Sequence, residues 1–472
     1  MANEYDLIVI GAGTGGYPTA IRAAQLGLRV AVVEKQKALG GTCLIWGCIP
    51  TKALVENAHS LEIARNAKEW GLSIDPASVR IDMKQVQARK DRIVATLTKG
   101  IEFLFKKNRI DWIKGTARLA GGGRVEIEGD QPQALHAARD IVVATGSQPR
   151  SVPGVAIDRK RIITSDEALA FREVPRTLVV LGAGAVGVEF ASIFRTFGSE
   201  VTIIELLPRL VPIEDEAVSA ELQKGFRKRG ITVHTGSKVV SAAADADGVD
   251  LEVALPDGTT EKIRADYLLV ATGRGPVTDG LGAAEAGIRT DRGYIVVDEH
   301  YRTSVAGISA VGDVISFGKP GHPQLAHVST AEGIAVAERV AGRPPRTINY
   351  DQVPGCTFSS PEIGSVGLTE QQAKDRGYDV VIGSFPFSAL GRAKIAGETE
   401  GFVKIVAEKK YDEVLGVHII GPRATDLVAE ASAALRLECT GEELVRTIHA
   451  HPTFAESVGE AAHALHGGAI HI

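Results

Sequence analysis

One phrase, written twice, constrains this chain most. "YDLIVIGAGTGG", residues 5–16, runs a short apolar strand into a glycine turn, and "RVAVVE", residues 29–34, adds a second strand that ends on an acid. "TLVVLGAGAVG", residues 177–187, repeats the turn, and "VTIIE" closes it at Glu205, at the same offset from its first glycine as Glu34. Each copy reads G-x-G-x-x-G between strand and helix: Gly11, Gly13 and Gly16, then Gly182, Gly184 and Gly187. The first glycine permits a tight turn, the second lets backbone approach a pyrophosphate, and the third lets the helix pack close to the strand. The helix N-terminus then faces the phosphate charge. The acid accepts a hydrogen bond from a ribose hydroxyl. Two copies with matched acids predict two dinucleotide sites.

The two units also close alike. "DIVVATGS", residues 140–147, matches "DYLLVATGR", residues 266–274, so Thr145, Gly146 and Gly273 sit at equivalent strand ends. Before each lies a polar, alternating stretch with turn glycines, "RLAGGGRVEIEG" and "VDLEVALPDGTTEKI", read as an antiparallel meander. The fold class is therefore α/β: two Rossmann-like dinucleotide-binding domains, each with an inserted meander. The last part is α+β, because "GFVKIVAEKKYDEVLGVHIIG" alternates like sheet strands and helical sequence follows it.

"GTCLIWGCIPTK", residues 41–52, places Cys43 and Cys48 directly after the first acid. On a regular helix, residues five apart have Cα atoms about 8.7 Å apart, beyond the reach of a disulfide. Gly47 and Pro50 favour an irregular turn that could bring the sulfurs together. A metal site lacks partners, since no second cysteine pair and no histidine stand at ligand spacing. Cys356 and Cys439 read as small structural hydrophobes. A dithiol beside a dinucleotide must pass electrons to something that takes two, which a flavin does, so the first site is assigned FAD. Glu205 would repel a 2′-phosphate, which assigns the second site NAD, with Arg209 nearby as the opposing signal.

The tail holds "HAHPTFAESVGEA", residues 449–461. Pro452 ends the preceding helix, and Thr453 with Glu456 has capping-box spacing, so a new helix is expected there. His451 and Glu456 then read either as a linker residue and a helix cap, or as a general base and the group that orients it. His449 is left unassigned.

Net charge is −5 with a pI near 6.2, which gives no basic surplus for nucleic acid. No apolar run approaches a membrane span. The chain enters its first strand almost at once, so neither a signal nor a transit peptide is expected. Four cysteines in 472 residues are not a secreted disulfide framework. The expected compartment is the cytoplasm, where a disulfide is more often catalytic than structural.

On "GGTCLIWGCIPTK", "AVGDV", "QLAHVSTAEG", "PEIGSVGLTE" and "HAHPTFAESVGEA" the chain resembles the flavin-dependent pyridine nucleotide–disulfide oxidoreductases over essentially its whole length. It is most similar to their lipoyl branch, which implies oxidation of a protein-bound dihydrolipoyl group with NAD+ as acceptor. The resemblance implies that Cys43 and Cys48 form a redox disulfide, with Cys43 meeting substrate and Cys48 lying against the flavin. Lys52 would sit near the flavin's reactive edge and pair with Glu189. Asp313 would hold the ribityl chain, with Ala326 and His327 starting a helix near the ring. His451 and Glu456 would act from a partner subunit, which implies a homodimer. The implied partner is a lipoyl-domain protein of a 2-oxo acid dehydrogenase or glycine cleavage complex.

Four segments follow: an FAD domain over 1–148, an NAD domain over 149–275, a central domain completing the FAD site over 276–345, and a dimerisation domain over 346–472. No extra C-terminal thiols are present, and Ala185 stands where glutathione reductases carry a gating tyrosine. Departures within the branch are Ile45, Trp46, Thr51 and Val328. The competing functions are an NAD(P)H-linked reductase of another small disulfide, a nicotinamide transhydrogenase, and a non-enzymatic dinucleotide-sensing dimer.

Overall fold

The computed structural model describes residues 3–319 and 321–472. It divides into two compact units, Met1–Leu54 with Lys84–Arg150 and Gly273–Ile348, and Val55–Met83 with Ser151–Thr272 and Asn349–Ile472.

In the first unit, strands Asp111–Lys114, Val30–Glu34, Glu4–Ile10 and Gln133–Val143 lie side by side and parallel, and Ile308–Ala310 extends the sheet beyond Gln133–Val143. Leu7, Ile8 and Val9 are fully buried, as expected of a parallel sheet covered on both faces. Gln133–Val143 serves two partners. Its N-terminal half pairs antiparallel with Arg124–Glu128, which pairs with Thr116–Leu119, and this is the expected meander. Helix Gly16–Gln25 packs on helix Ala326–Val340 so closely that a Cβ on Gly333 would lie 2.1 Å from Thr19 Oγ1.

The second unit repeats the plan. Strands Thr232–His234, Glu200–Ile204, Thr177–Leu181, Tyr267–Val270 and Ile162–Ile163 form a parallel sheet, and Lys238–Ala244, Val249–Ala254 and Thr260–Ala265 form the second meander. The C-terminal part of this unit is a five-stranded antiparallel sheet, in the order Gly355–Thr357, Ile363–Gly367, Val414–Ile420, Phe402–Glu408 and Val380–Pro386. Strands Phe402–Glu408 and Val414–Ile420 are buried on both faces, so their polar positions, Lys404 and His418, are buried as well. The four-segment division stays a proposal, and Val55–Met83, which fall within its first segment, cluster with the second unit. No helix among the described residues is long and apolar enough to cross a membrane.

Helix Glu456–Leu465 lies on strand Val380–Pro386, where a Cβ on Gly383 would stand 2.0 Å from Ala461 O. The clash is with backbone, which cannot rotate away. Gly383→Ala is expected to lower unfolding free energy by about 3 kcal/mol, read from the urea midpoint at unchanged m-value.

Candidate active site

The glycine turns sort by what each glycine avoids. Gly11 has φ +100, and a Cβ on it would meet Ala144 O at 2.4 Å; one on Gly16 would meet Gly11 O at 1.8 Å. Gly182 and Gly187 behave alike, at 2.6 Å from Ala271 O and 2.0 Å from Gly182 O. The middle glycines differ. A Cβ on Gly184 meets nothing within 4 Å, and one on Gly13 meets only Gly41 Cα, at 3.9 Å. Protein packing therefore does not demand these two glycines, whereas a ligand backbone lying against the turn would. Gly146, at φ +71, and Gly273, at φ +114, are likewise left-handed with open space before them. Both turns fit a dinucleotide.

The acids do more than the sequence indicated. Glu34 Oε2 accepts from Ala12 N at 2.8 Å and its Oε1 from Gln36 N at 2.8 Å. Glu205 repeats this, with Oε2 accepting from Ala183 N at 2.7 Å and Oε1 from Leu207 N at 2.8 Å. Each acid thus braces its own glycine turn, and each carboxylate oxygen keeps acceptor capacity for a hydroxyl. Arg209 is folded onto its own loop, donating to Pro212 O at 3.0 Å. Its guanidinium is committed to the backbone there.

In the first unit Cys43 lies on helix Gly41–Trp46 and Cys48 opens helix Cys48–Arg65. Gly47 separates them with φ −138 and ψ −112, and a Cβ there would stand 2.7 Å from Thr42 O. This break resolves the distance problem of a regular helix: the Cys48 sulfur is in hydrogen-bonding contact with the Cys43 thiol. Thr51 secures the break, its Oγ1 donating to Gly47 O at 2.6 Å. The two sulfurs are in contact without an S–S bond between them. The Cys48 contact and then burial push the Cys43 thiol up, and the nearby Lys52 charge opposes them. Tyr17 packs beside Cys43, its phenol pushed up by burial and by that thiol. Ile45 packs against the same core, Trp46 is half-buried, and Val328 is buried in its helix.

Asp313 sits in the short turn Gly312–Val314, and its Oδ2 accepts from Ser147 Oγ at 2.6 Å. Ser147 Oγ in turn accepts from Arg274 Nε at 2.7 Å. Burial pushes the Asp313 carboxyl up. Ser147 and Arg274 each directly follow an Ala-Thr-Gly, so the two repeat ends meet in a pair of short antiparallel strands. Thr145 spends its hydroxyl on Val277 O at 2.6 Å. Glu332, fully buried, accepts from Gly312 N at 2.7 Å and contacts His322 Nε2 at 2.7 Å. Ala326 and His327 open helix Ala326–Val340 with no side-chain cap, which leaves its first N–H groups for an acceptor. The sequence reading missed Ser147, Arg274, Glu332 and Tyr17. The repeated tripeptide was the available signal for the first two.

In the second unit His451 Nδ1 stands 2.7 Å from Glu456 Oε1. An ionised carboxylate only accepts, so Nδ1 carries the proton and Nε2 is left as a base. The His451 side chain is 79% exposed, so that nitrogen can be approached from outside. Burial would raise the Glu456 carboxyl, but His451 and the Thr453 N–H together hold it below the usual range. The expected cap is corrected here. The preceding helix ends at Arg446, before Pro452, and the next begins at Glu456 with Ala455 as N-cap. Glu456 accepts from Thr453 N at 2.8 Å, but Thr453 Oγ1 donates backwards to Ala450 O. Only half of the box forms, because the other half of Thr453's bonding goes to the loop that carries His451. His449 turns to another face, 2.7 Å from Glu430 Oε1. Glu189 is buried, and its Oε1 accepts from Phe358 N at 2.9 Å. Cys356 and Cys439 pack against the C-terminal core. Among the described residues no cluster of three or more His, Cys, Asp or Glu could hold a metal.

Comparison with known proteins agrees with this geometry. Residues 5–333 match the family described as pyridine nucleotide-disulphide oxidoreductase, and residues 353–462 match its dimerisation domain. The chain is 44% identical over 482 residues to dihydrolipoyl dehydrogenase of Bacillus subtilis (strain 168), covering 100% of both chains. It is 44% identical to dihydrolipoyl dehydrogenase 3 of Pseudomonas putida, over 99% of this chain and 100% of that one. It superposes on the crystal structure of LpdA from Mycobacterium tuberculosis with a TM-score of 0.88 at 27% identity, covering 97% of this chain and 99% of the other.

Proposed function

The chain belongs to the pyridine nucleotide-disulphide oxidoreductase family, and from that premise we propose how its own residues carry out dihydrolipoyl dehydrogenase chemistry. It is an FAD-dependent, NAD-linked oxidoreductase. The observation that carries the reading is the sulfur contact across the Gly47 break, in the unit that holds the first glycine turn.

In the oxidised enzyme Cys43 and Cys48 share a disulfide. A dihydrolipoyl thiol gives its proton to Nε2 of the partner's His451. The resulting thiolate attacks Cys43, the Cys43–Cys48 bond breaks, and Cys48 leaves as a thiolate. His451 releases that first proton to solvent and takes the proton of the second substrate thiol, whose sulfur attacks the first substrate sulfur in the mixed disulfide. Lipoamide closes, Cys43 is released, and the pair holds two more electrons than before. Lys52 favours the thiolate state by its charge. Glu456 holds the imidazole tautomer and shields its positive charge. The chemistry that FAD supplies when bound is acceptance of the electron pair from Cys48 and hydride donation to NAD+. Gly11, Gly13, Gly16 and Glu34 would hold its dinucleotide part, with Asp313 and the Ala326–His327 helix end toward the rest. Gly182, Gly184, Gly187, Glu205 and Gly273 would hold NAD.

A homodimer is supported by the dimerisation-domain match. We assign as protein substrate the lipoyl domain of a 2-oxo acid dehydrogenase or glycine cleavage complex, and as compartment the cytoplasm. Steady-state assays with dihydrolipoamide, reduced glutathione and other dithiols test the substrate class. Dihydrolipoamide should give the highest kcat/KM, and a preference for another thiol would overturn the reading. Because we assign Glu205 to the ribose hydroxyl and Arg209 is committed elsewhere, NAD+ should exceed NADP+ in kcat/KM by about 100-fold, the ratio for a like-charge penalty of about 3 kcal/mol. Near-equal ratios would contradict the assignment of Glu205.

A further inference from the structure

The loop that follows Glu205 holds a conformation that its own residues do not favour. Val211 is buried and has φ +40, a left-handed backbone that a β-branched residue keeps only where its surroundings impose it. In that conformation Val211 N donates to Ala183 O at 2.9 Å, inside the second glycine turn. Glu205 braces the same residue from its other side through Ala183 N. The turn is therefore gripped between Glu205 and the loop.

Ser219 Oγ donates to Leu210 O at 2.7 Å from the helix that follows the loop, and a buried set of charges anchors the start of that helix. Asp215 is 1% exposed, and its Oδ1 accepts from Lys404 Nζ at 2.9 Å and from Ala217 N at 3.0 Å. Its Oδ2 accepts from Glu370 N at 3.2 Å. Lys404 Nζ also donates to Glu370 Oε2 at 2.7 Å. Next to Asp215, Glu214 Oε2 accepts from Ser365 Oγ at 2.6 Å. His418, directly opposite Lys404 in the sheet, contacts Leu368 O through Nε2. Lys404, Glu370 and Ser365 all belong to the C-terminal sheet and its first helix, yet they fasten a loop of the nucleotide-binding part of the same unit. A charged pair so thoroughly buried is poor as a source of stability, since desolvation offsets most of its attraction. It is good at fixing one geometry.

We propose that Asp215 and Lys404 are positioning residues for the nicotinamide nucleotide, holding the loop 206–214 so that Val211 keeps the Gly182–Ala183 turn ready for the pyrophosphate. The proposal rests on the assignment of NAD to that turn. It makes nucleotide affinity depend on a side chain of the C-terminal sheet that lies nowhere on the nucleotide's path.

The test uses the full-length holoenzyme with FAD bound. Asp215→Asn and Lys404→Met should raise the KM for NAD+ about tenfold or more, as misplacement of a binding turn does. Reduction of the enzyme by dihydrolipoamide alone should keep its unsubstituted rate. Lys404→Arg should restore most of the affinity. In the Asp215→Asn background, Val211→Gly should also recover it, because glycine takes φ +40 without being held there. A merely structural pair would show neither the selectivity for NAD+ nor this rescue. Should Asp215→Asn fail to fold, Lys404→Gln is read in its place. If unsubstituted enzyme saturates with NAD+ while folded variants keep its KM within about twofold, the clamp is wrong and the NAD assignment survives. If unsubstituted enzyme shows no dependence on NAD+, the assignment falls first and the clamp with it.

Discussion

Replacing Cys48 by serine is expected to reduce dihydrolipoamide oxidation by roughly 10⁴-fold or more, since the change removes a covalent participant rather than a supporting group. The fold should survive. Cys48 opens its helix at the Gly47 break, which the Thr51 hydroxyl secures. Serine keeps the size and a weaker hydrogen-bonding group at that position. FAD content, measured on protein released from denaturation, should stay stoichiometric, and the thermal midpoint should move little. Cys43→Ser should fail equally in turnover. The two variants should differ in one respect: peptide mapping after treatment with a small thiol-exchange reagent should find a mixed disulfide at Cys43 in Cys48→Ser and none at Cys48 in Cys43→Ser. Appreciable turnover in Cys48→Ser would remove the relay from the account.

His451→Gln carries the second large effect, a loss of about 10²–10⁴ in kcat/KM with dihydrolipoamide, the usual contribution of a positioned general base. A substrate thiol with an ordinary pKa near 8.5 is only a few per cent ionised at neutral pH, so the variant should recover rate as pH rises toward that value. Glu456→Gln should lose less, roughly tenfold in kcat/KM, the cost of one charge-assisted hydrogen bond. The Glu456 carboxyl is held below its usual range by His451 and the Thr453 N–H, against the opposing effect of burial. It therefore stays ionised at neutral pH, where its charge steadies the imidazolium formed when His451 takes the substrate proton. An unchanged kcat/KM in Glu456→Gln would mean that Glu456 only closes the loop. Mixing His451→Gln chains with Cys43→Ser chains gives a further check. If His451 acts on the neighbouring subunit, heterodimers regain one complete site, and activity appears from two inactive parents.

Features that each turn enforces locally were readable from the sequence. Gly11, Gly16, Gly182 and Gly187 are there because backbone oxygen would occupy any Cβ position, and such a demand leaves its mark on a dozen neighbouring residues. The Cys43–Cys48 break was readable for the same reason, since Gly47 lies between the two cysteines and has no room for a Cβ. The misreading at Thr453 has a local cause too. Spacing shows that Thr453 and Glu456 can bond but not which way the threonine hydroxyl turns, and here it turns back to Ala450. What escaped was long-range. Ser147 meets Arg274 and Asp313, Glu332 holds the Gly312 amide, and Asp215 meets Lys404, all across separations that no spacing rule spans. Lys404 and His418 were the most deceptive. They occupy polar positions of strands whose sequence alternates, yet both strands are buried along nearly their whole length.

Thiol counting tests the central chemistry most directly. The chain has four cysteines, of which Cys356 and Cys439 take no part in the relay. Holoenzyme as purified in air, denatured under acid quench and titrated with a thiol reagent, should yield only those two. One equivalent of dihydrolipoamide under anaerobic conditions should expose Cys43 and Cys48 as well, and NAD+ added before the quench should return the count to its starting value. A count that stays full throughout, or one that NAD+ leaves unchanged after reduction, would contradict the account.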